Sequence, residues 1–90
     1  MRFEWDSQKA AQNSAKHGVA FAEAASVFGD PLARLIDDPD HSQQEDRYIL
    51  IGLSDQERRL LIAFVDHGDS VRIISARELT RAERADYENG

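Results

Sequence analysis

The apolar positions of the chain change their period partway along it. In the first third they recur at the helical spacing of i, i+3, i+4 and i+7, as Phe21, Ala24, Ala25 and Phe28 do. This spacing predicts a helix within residues 19–31. Asp6 is a typical N-cap and Gly18 a typical C-cap, and together they predict an earlier helix over Ser7–His17.

From residue 32 onward, short apolar segments with polar turns between them are typical of strands. "LARLIDD" predicts an edge strand, and "RYILIGL", "RLLIAFV" and "SVRIISAR" predict an antiparallel meander. Strict alternation in the last of these places one set of side chains on one face (Val71, Ile73, Ser75 and Arg77) and the other set on the opposite face (Arg72, Ile74 and Ala76). Thr80 and Glu83 form a capping box that predicts a terminal helix over residues 81–87.

With "RFEW" at residues 2–5 as a first strand, the element order is β-α-α-β-β-β-β-α. This order predicts an α+β fold in which the two N-terminal helices pack on one face of a mainly antiparallel sheet. A chain of 90 residues is enough for one domain, residues 1–90. The polar stretch "DPDHSQQED", residues 38–46, reads as a loop.

Composition narrows the classes of function. The chain has no cysteine, which fits the reducing cytoplasm, and no apolar run long enough to cross a membrane. Its net charge of −6 argues against simple adhesion to nucleic acid. The charge is uneven, however: residues 30–57 hold eight acidic and two basic residues, whereas residues 58–84 hold six arginines and four acidic residues.

Arginines on predicted strands are the first candidates for chemistry. Arg72 and Arg77 lie on the last strand, and Arg47 opens the first strand of the meander. A guanidinium group matches phosphate as a planar fork, so two or three of them on one sheet face would bind phosphate. The alternative for each arginine is a salt bridge to one of the many carboxylates.

Other candidates also have a structural alternative. His17 either caps the first helix or acts as a general acid or base. Tyr87 either covers the core or stacks on a base. His41 and His67 are predicted in loops at a spacing that fits no metal-binding motif, so neither a metal nor another cofactor is expected.

Several short motifs occur together in order: "FEWD", Lys9, Asn13, "KHGV", Phe21, "VF" followed by "DP", "RIISAR", and a late Glu and Tyr. In this arrangement the chain resembles the BrnT family of ribonuclease toxins. The resemblance implies a RelE-like fold and a cytoplasmic toxin that cleaves RNA and inhibits translation. It also implies a partner, a BrnA-type ribbon-helix-helix antitoxin, and contact with operator DNA only through the complex with that antitoxin.

The resemblance further implies which residues form the site. His17, Lys16, Arg72 and Arg77 would be catalytic, and Arg47 and Tyr87 would bind RNA. A rival interpretation is a binding module that acts as co-repressor with weak or lost ribonuclease activity. A third is a stand-alone nucleic-acid-binding domain, against which the net charge of −6 counts.

Overall fold

The computed structural model describes residues 1–38 and 46–89, and these follow the predicted order of elements. The elements are β1 (Arg2–Glu4), α1 (Ser7–His17), α2 (Phe21–Ser26), a 3₁₀ turn (Val27–Gly29), β2 (Arg34–Asp37), β3 (Arg47–Leu53), β4 (Arg59–Asp66), β5 (Ser70–Glu78) and α3 (Arg81–Asn89). Of the loop predicted at 38–46, residues 39–45 lie outside the described part of the chain, His41 among them.

The five strands form one sheet in the order β1-β5-β4-β3-β2. β1 runs parallel to β5, and the other neighbouring strands are antiparallel. β1 is short and lies opposite only Ser70, Val71 and Arg72, so most of the outer edge of β5 needs another partner.

Both caps predicted for α1 are confirmed. The Asp6 carboxylate accepts hydrogen bonds from the backbone N–H groups of Gln8 and Lys9, at 2.8 and 3.1 Å. These bonds favour the charged carboxylate and hold the pKa of Asp6 below its usual value. Gly18 ends the helix with a φ of 68°, a left-handed conformation that glycine adopts without strain.

The core lies between the two N-terminal helices and one face of the sheet, as predicted. Buried side chains alternate along β4, where Leu60, Ile62 and Phe64 face the helices. They pack with apolar residues of the helical layer and the neighbouring strands (Val19, Phe21, Ala24, Val27, Leu50, Val71, Ile73 and Ala76). We call this side the helix face of the sheet and the other side the open face.

A β-bulge makes the predicted alternation of the last strand wrong beyond Ile73. Ile73 pairs with Phe64, whereas Ser75 pairs with the preceding residue Ala63, so Ile74 is an extra residue. One inserted residue shifts the alternation by one position. Ala76 therefore joins Ile73 on the helix face, and Arg77 lies on the same face as Arg72.

The helix α3 lies over one end of the open face. Its predicted capping box is confirmed, because Glu83 accepts from the Thr80 N–H at 2.9 Å and the Thr80 hydroxyl accepts from the Glu83 N–H at 3.2 Å. α3 buries none of its residues and contacts the sheet through arginines at positions 34, 59 and 77. Among the described residues no helix is long and apolar enough to span a bilayer.

Candidate functional site

A single buried amide attaches α1 to the edge of β5. Asn13 donates to the carbonyl oxygens of Ala76 and Val19, at 2.8 and 2.9 Å, and its Oδ1 accepts from the Ala76 N–H at 3.0 Å. The side chain thus takes the place of a neighbouring strand where β1 has already ended. The polar side of α1 is consequently fixed beside the bulge of β5.

Two adjoining hollows lie where α1 meets the open face. The first, about 290 Å³, is lined by α1 and by Ile74 and Ser75 of the bulge; its α1 residues are Lys9, Gln12, Asn13, Lys16 and His17. The second, about 260 Å³, is lined by Lys9, Arg47, Val65, His67, Arg72 and Ile74. Because Lys9 and Ile74 line both, we treat the hollows as one cationic groove.

Basic side chains dominate this groove. Lys9, Lys16, Arg47 and Arg72 contribute cations, and no aspartate or glutamate of the described residues lines either hollow. Two carboxylates stand nearby but have other partners. Glu4, beside Arg72 in the sheet, accepts from the Ser70 hydroxyl at 2.7 Å, and Asp6 caps α1. Within the described residues, Lys9, Lys16 and Arg72 form no ion pair within 4 Å. Asp6 is nevertheless close enough for the charges of Lys9 and Arg72 to help lower its pKa, after the two backbone hydrogen bonds.

His17 lines the groove at the C-terminal end of α1. Arg58 holds the end of α1 in place next to His17. It donates a hydrogen bond to the Gly18 carbonyl at 3.1 Å and forms a two-pronged ion pair with Glu23 of α2. Glu23 also accepts from the Ser54 hydroxyl at 2.7 Å. The Arg58 guanidinium holds the pKa of the buried Glu23 carboxyl below its usual value. This network joins the end of α1, the start of β4 and α2.

Arg77 lies on the same face as Arg72 but outside the groove. Four residues of strand lie between the two arginines, a distance of about 15 Å. Arg77 makes a two-pronged ion pair with Glu83 of α3, at 2.7 and 2.9 Å. The pair lowers the pKa of Glu83 to about 2 and raises that of Arg77. This is the salt-bridge alternative that the sequence left open for each arginine.

Tyr87 also lies with α3, away from the groove. Its carbonyl accepts from the Arg34 guanidinium at 2.6 Å, and its ring lies 5.1 Å from the Arg34 Cζ. The structure therefore brings together four of the six residues assigned to the site from sequence (Lys16, His17, Arg47 and Arg72). The roles of Arg77 and Tyr87 stay predictions.

Sequence reasoning missed two parts of this arrangement. The spacing of Lys9, Asn13 and Lys16 at i, i+4 and i+7 predicts that they share one polar face of the first helix, but it does not place Lys9 beside Arg72. Asn13 belongs to that predicted polar face, yet it is only 7% exposed. Asparagine inside a helix is locally unfavourable, and that was the available signal that tertiary contacts use it.

Known proteins resemble this chain in sequence and in fold. A family profile described as "Ribonuclease toxin, BrnT, of type II toxin-antitoxin system" matches residues 5–83. The crystal structure of the Brucella abortus ribonuclease toxin BrnT is similar, with a TM-score of 0.71 and 25% sequence identity, over 90% of this chain and 99% of that one. A search of curated proteins finds no match. The family match covers nearly the whole chain, and the chain belongs to the BrnT family of ribonuclease toxins of type II toxin–antitoxin systems.

Proposed function

We propose that this single-domain chain is an endoribonuclease whose cationic groove holds the RNA backbone at the scissile phosphate. The observation that carries the proposal is that His17 and Lys16 line one hollow, Arg47 and Arg72 line the adjoining one, and Lys9 lines both, without a lining carboxylate among the described residues. Phosphate contacts supply most of the affinity for a nucleic acid, and arginine binds phosphate in a fork. A net charge of −6 is compatible with this, because the groove itself is basic.

The proposed chemistry uses the nucleophile that RNA carries. A base removes the proton of the 2′-hydroxyl, the 2′-oxygen attacks the neighbouring phosphorus, and the bond from phosphorus to the 5′-oxygen breaks. An acid then protonates the departing 5′-oxygen, so the products are a 2′,3′-cyclic phosphate and a 5′-hydroxyl. Since the substrate supplies the attacking oxygen, the reaction needs acid–base groups and cations and proceeds without a metal-bound water.

Each residue of the groove has a role in this scheme. Histidine is the side chain best suited to proton transfer near neutral pH, so we assign this role to His17, assisted by Lys16. Arg72 and Arg47 stabilise the charge that develops on the phosphorane oxygens. Lys9 lies between the two hollows and would contact the backbone phosphate on either side. Arg77 and Tyr87 would reach RNA only beyond the groove, at the α3 end of the open face.

The test is cleavage of a labelled single-stranded RNA by purified variants. We expect H17A and R72A each to lower the cleavage rate on the order of 10²-fold or more, with unchanged folding. R81A is the matched control for lost charge, because Arg81 is exposed on α3 and lines neither hollow. Parent-like rates for H17A and R72A would contradict the assignment, as would products carrying a 3′-hydroxyl.

The biological role we propose follows from the family. The toxin acts in the cytoplasm, degrades RNA and thereby inhibits translation, and is neutralised by a BrnA-type ribbon-helix-helix antitoxin. The toxin would contact operator DNA only within that complex. Growth arrest on induction, reversed by co-expression of the antitoxin, is the expected result in cells.

A second candidate function is that of a binding module and co-repressor with little nuclease activity. The exposed apolar side chains of the edge strand β2, Leu35 and Ile36, favour a protein contact of this kind. It predicts tight antitoxin binding with no growth arrest on induction. The arrest assay therefore separates the two functions.

A further inference from the structure

The edge strand β2 presents apolar side chains to solvent on both of its faces. Leu35 is 59% exposed on the helix face and Ile36 is 48% exposed on the open face. Within residues 1–38 and 46–89, β2 is also the last strand of the sheet and pairs with β3 alone. An apolar edge with unpaired backbone groups is a template for another strand unless it is covered.

Beside this edge, the helix face carries an apolar groove of about 260 Å³. We call it the edge groove; it is lined by Met1, Phe28, Leu35, Leu50, Phe64, Asp66, Gly68 and Val71. Phe28, Leu50, Phe64 and Val71 belong to the hydrophobic core or pack against it, so the edge groove is a place where the core reaches the surface. A side chain of an added strand that lay next to Leu35 would enter this groove.

The charges around the edge groove indicate the chemistry of its occupant. Exposed aspartates stand at this end of the sheet, at positions 37, 46, 66 and 69. The backbone N–H of Asp66 donates to the Asp46 carbonyl at 2.8 Å, so these two residues are adjacent. Among the described residues, the cations at this end are Arg2, the N-terminal amine and Arg47, and Arg47 belongs to the open face, whereas the edge groove opens on the helix face. A basic segment is therefore favoured over a nucleic acid or a second copy of this chain, whose charge of −6 would repel it.

We propose that the antitoxin docks here by strand addition. An extended antitoxin segment pairs with β2, passes an apolar side chain over Leu35 into the edge groove, and places lysine or arginine side chains beside Asp37. The segment then continues across this end of the sheet, where a further basic side chain meets Asp66 of β4. This rests on the proposed antitoxin partner but not on the cationic groove. The edge groove opens on the helix face, whereas Arg47 and Arg72 of the cationic groove lie on the open face. The turn between β4 and β5 contributes to both, with His67 in one groove and Gly68 in the other.

The experiment uses the complex of the full chain with its co-expressed antitoxin. Hydrogen exchange of the backbone amides of β2 should slow in the complex relative to the free toxin. L35E should weaken antitoxin binding at least ~10-fold, because it removes an apolar contact and adds a charge that repels a basic segment. D66N should weaken it several-fold at low salt and less at high salt, since it removes one charge. The asparagine side chain still accepts the bond that Asp66 takes from the Gly68 N–H.

D55N is the matched control, because Asp55 is an exposed aspartate in the turn between β3 and β4, away from the edge groove. It should change binding less than ~2-fold, as expected for a surface charge outside the contact. If the antitoxin binds but hydrogen exchange in β2 does not change, the proposed docking site is wrong. The same holds if L35E binds the antitoxin as tightly as the parent does. In both cases the antitoxin is still the partner. No antitoxin binding at all would overturn both the docking site and the partner. RNA cleavage by L35E alone should equal that of the parent, and its loss would show damage to the fold.

Discussion

Among the described residues, the hydrogen bonds between α1 and β5 come from one side chain, so Asn13→Ala is the most informative change in the chain. The substitution leaves three buried backbone groups without their partners: the carbonyls of Val19 and Ala76 and the N–H of Ala76. An unsatisfied buried group costs about 1–3 kcal/mol, and water entering the small space left by the amide offsets part of this. Alanine gains about 0.5 kcal/mol of helix propensity over asparagine. We expect a net loss of about 3 kcal/mol.

That loss is a large share of the stability of such a domain, which for 90 residues is about 5–13 kcal/mol. Urea unfolding, followed by far-UV circular dichroism and by fluorescence of the single Trp5, measures it directly. With an m-value of about 1–1.5 kcal/mol per molar, the midpoint should fall by about 2–3 M. Ser14→Ala is the matched control on the same helix, because Ser14 is exposed and its hydroxyl makes no hydrogen bond in the described structure. It should shift the free energy of unfolding by less than ~0.5 kcal/mol.

The isosteric change Asn13→Asp tests the reasoning further. It keeps the acceptor for the Ala76 N–H but removes both donors and places a carboxylate against two carbonyl oxygens. We expect it to destabilise at least as much as Asn13→Ala, although its volume is nearly that of asparagine. A loss below about 1 kcal/mol for both variants would refute the idea that this amide replaces a strand. Under conditions where both variants stay folded, RNA cleavage should still fall, because α1 carries Lys16 and His17.

Three further outcomes follow from the ion pairs and the groove. Glu23→Ala should lower the free energy of unfolding by about 3 kcal/mol in urea titrations, because it leaves Arg58 and the Ser54 hydroxyl without their buried partner. Glu83 has a pKa of about 2 in the folded chain, below its usual value of 4.5, so its contribution is fully present above pH 4.5 and is lost as the pH falls toward 2. The stability difference between the parent and Glu83→Gln should shrink over that range, and a constant difference would contradict the pairing with Arg77. Arg72→Ala should reduce the slope of log affinity for single-stranded RNA against log salt by about 0.7, as one phosphate contact requires, whereas Arg81→Ala should leave that slope unchanged.

Local patterns were sufficient for most of the fold. The caps at Asp6 and Gly18, the capping box at Thr80 and the three strands of the meander are all set by residues close in sequence, and the structure confirms them. The second helix is shorter than predicted: it ends at Ser26, and Val27–Gly29 form a 3₁₀ turn. The bulge at Ile74 was not predictable in the same way. The sequence around Ile74 is typical of a regular apolar strand. The shift in strand register follows from how β4, α1 and β5 pack together.

For the charged residues as well, the sequence predicts the local composition, whereas the tertiary structure determines which charges are paired. The sequence identified residues 58–84 as a basic segment, yet three of its arginines, at 58, 59 and 77, are held in ion pairs with glutamates. Only Arg72 of that segment lines the cationic groove, and the other cations come from α1 and from the start of β3. Composition can count arginines but cannot say which have carboxylate partners, because those partners lie 6 to 35 positions away in sequence. A scan of single arginine substitutions should therefore divide into two groups: Arg58 and Arg77 variants that lose stability first, and Arg72 variants that lose RNA binding with stability unchanged.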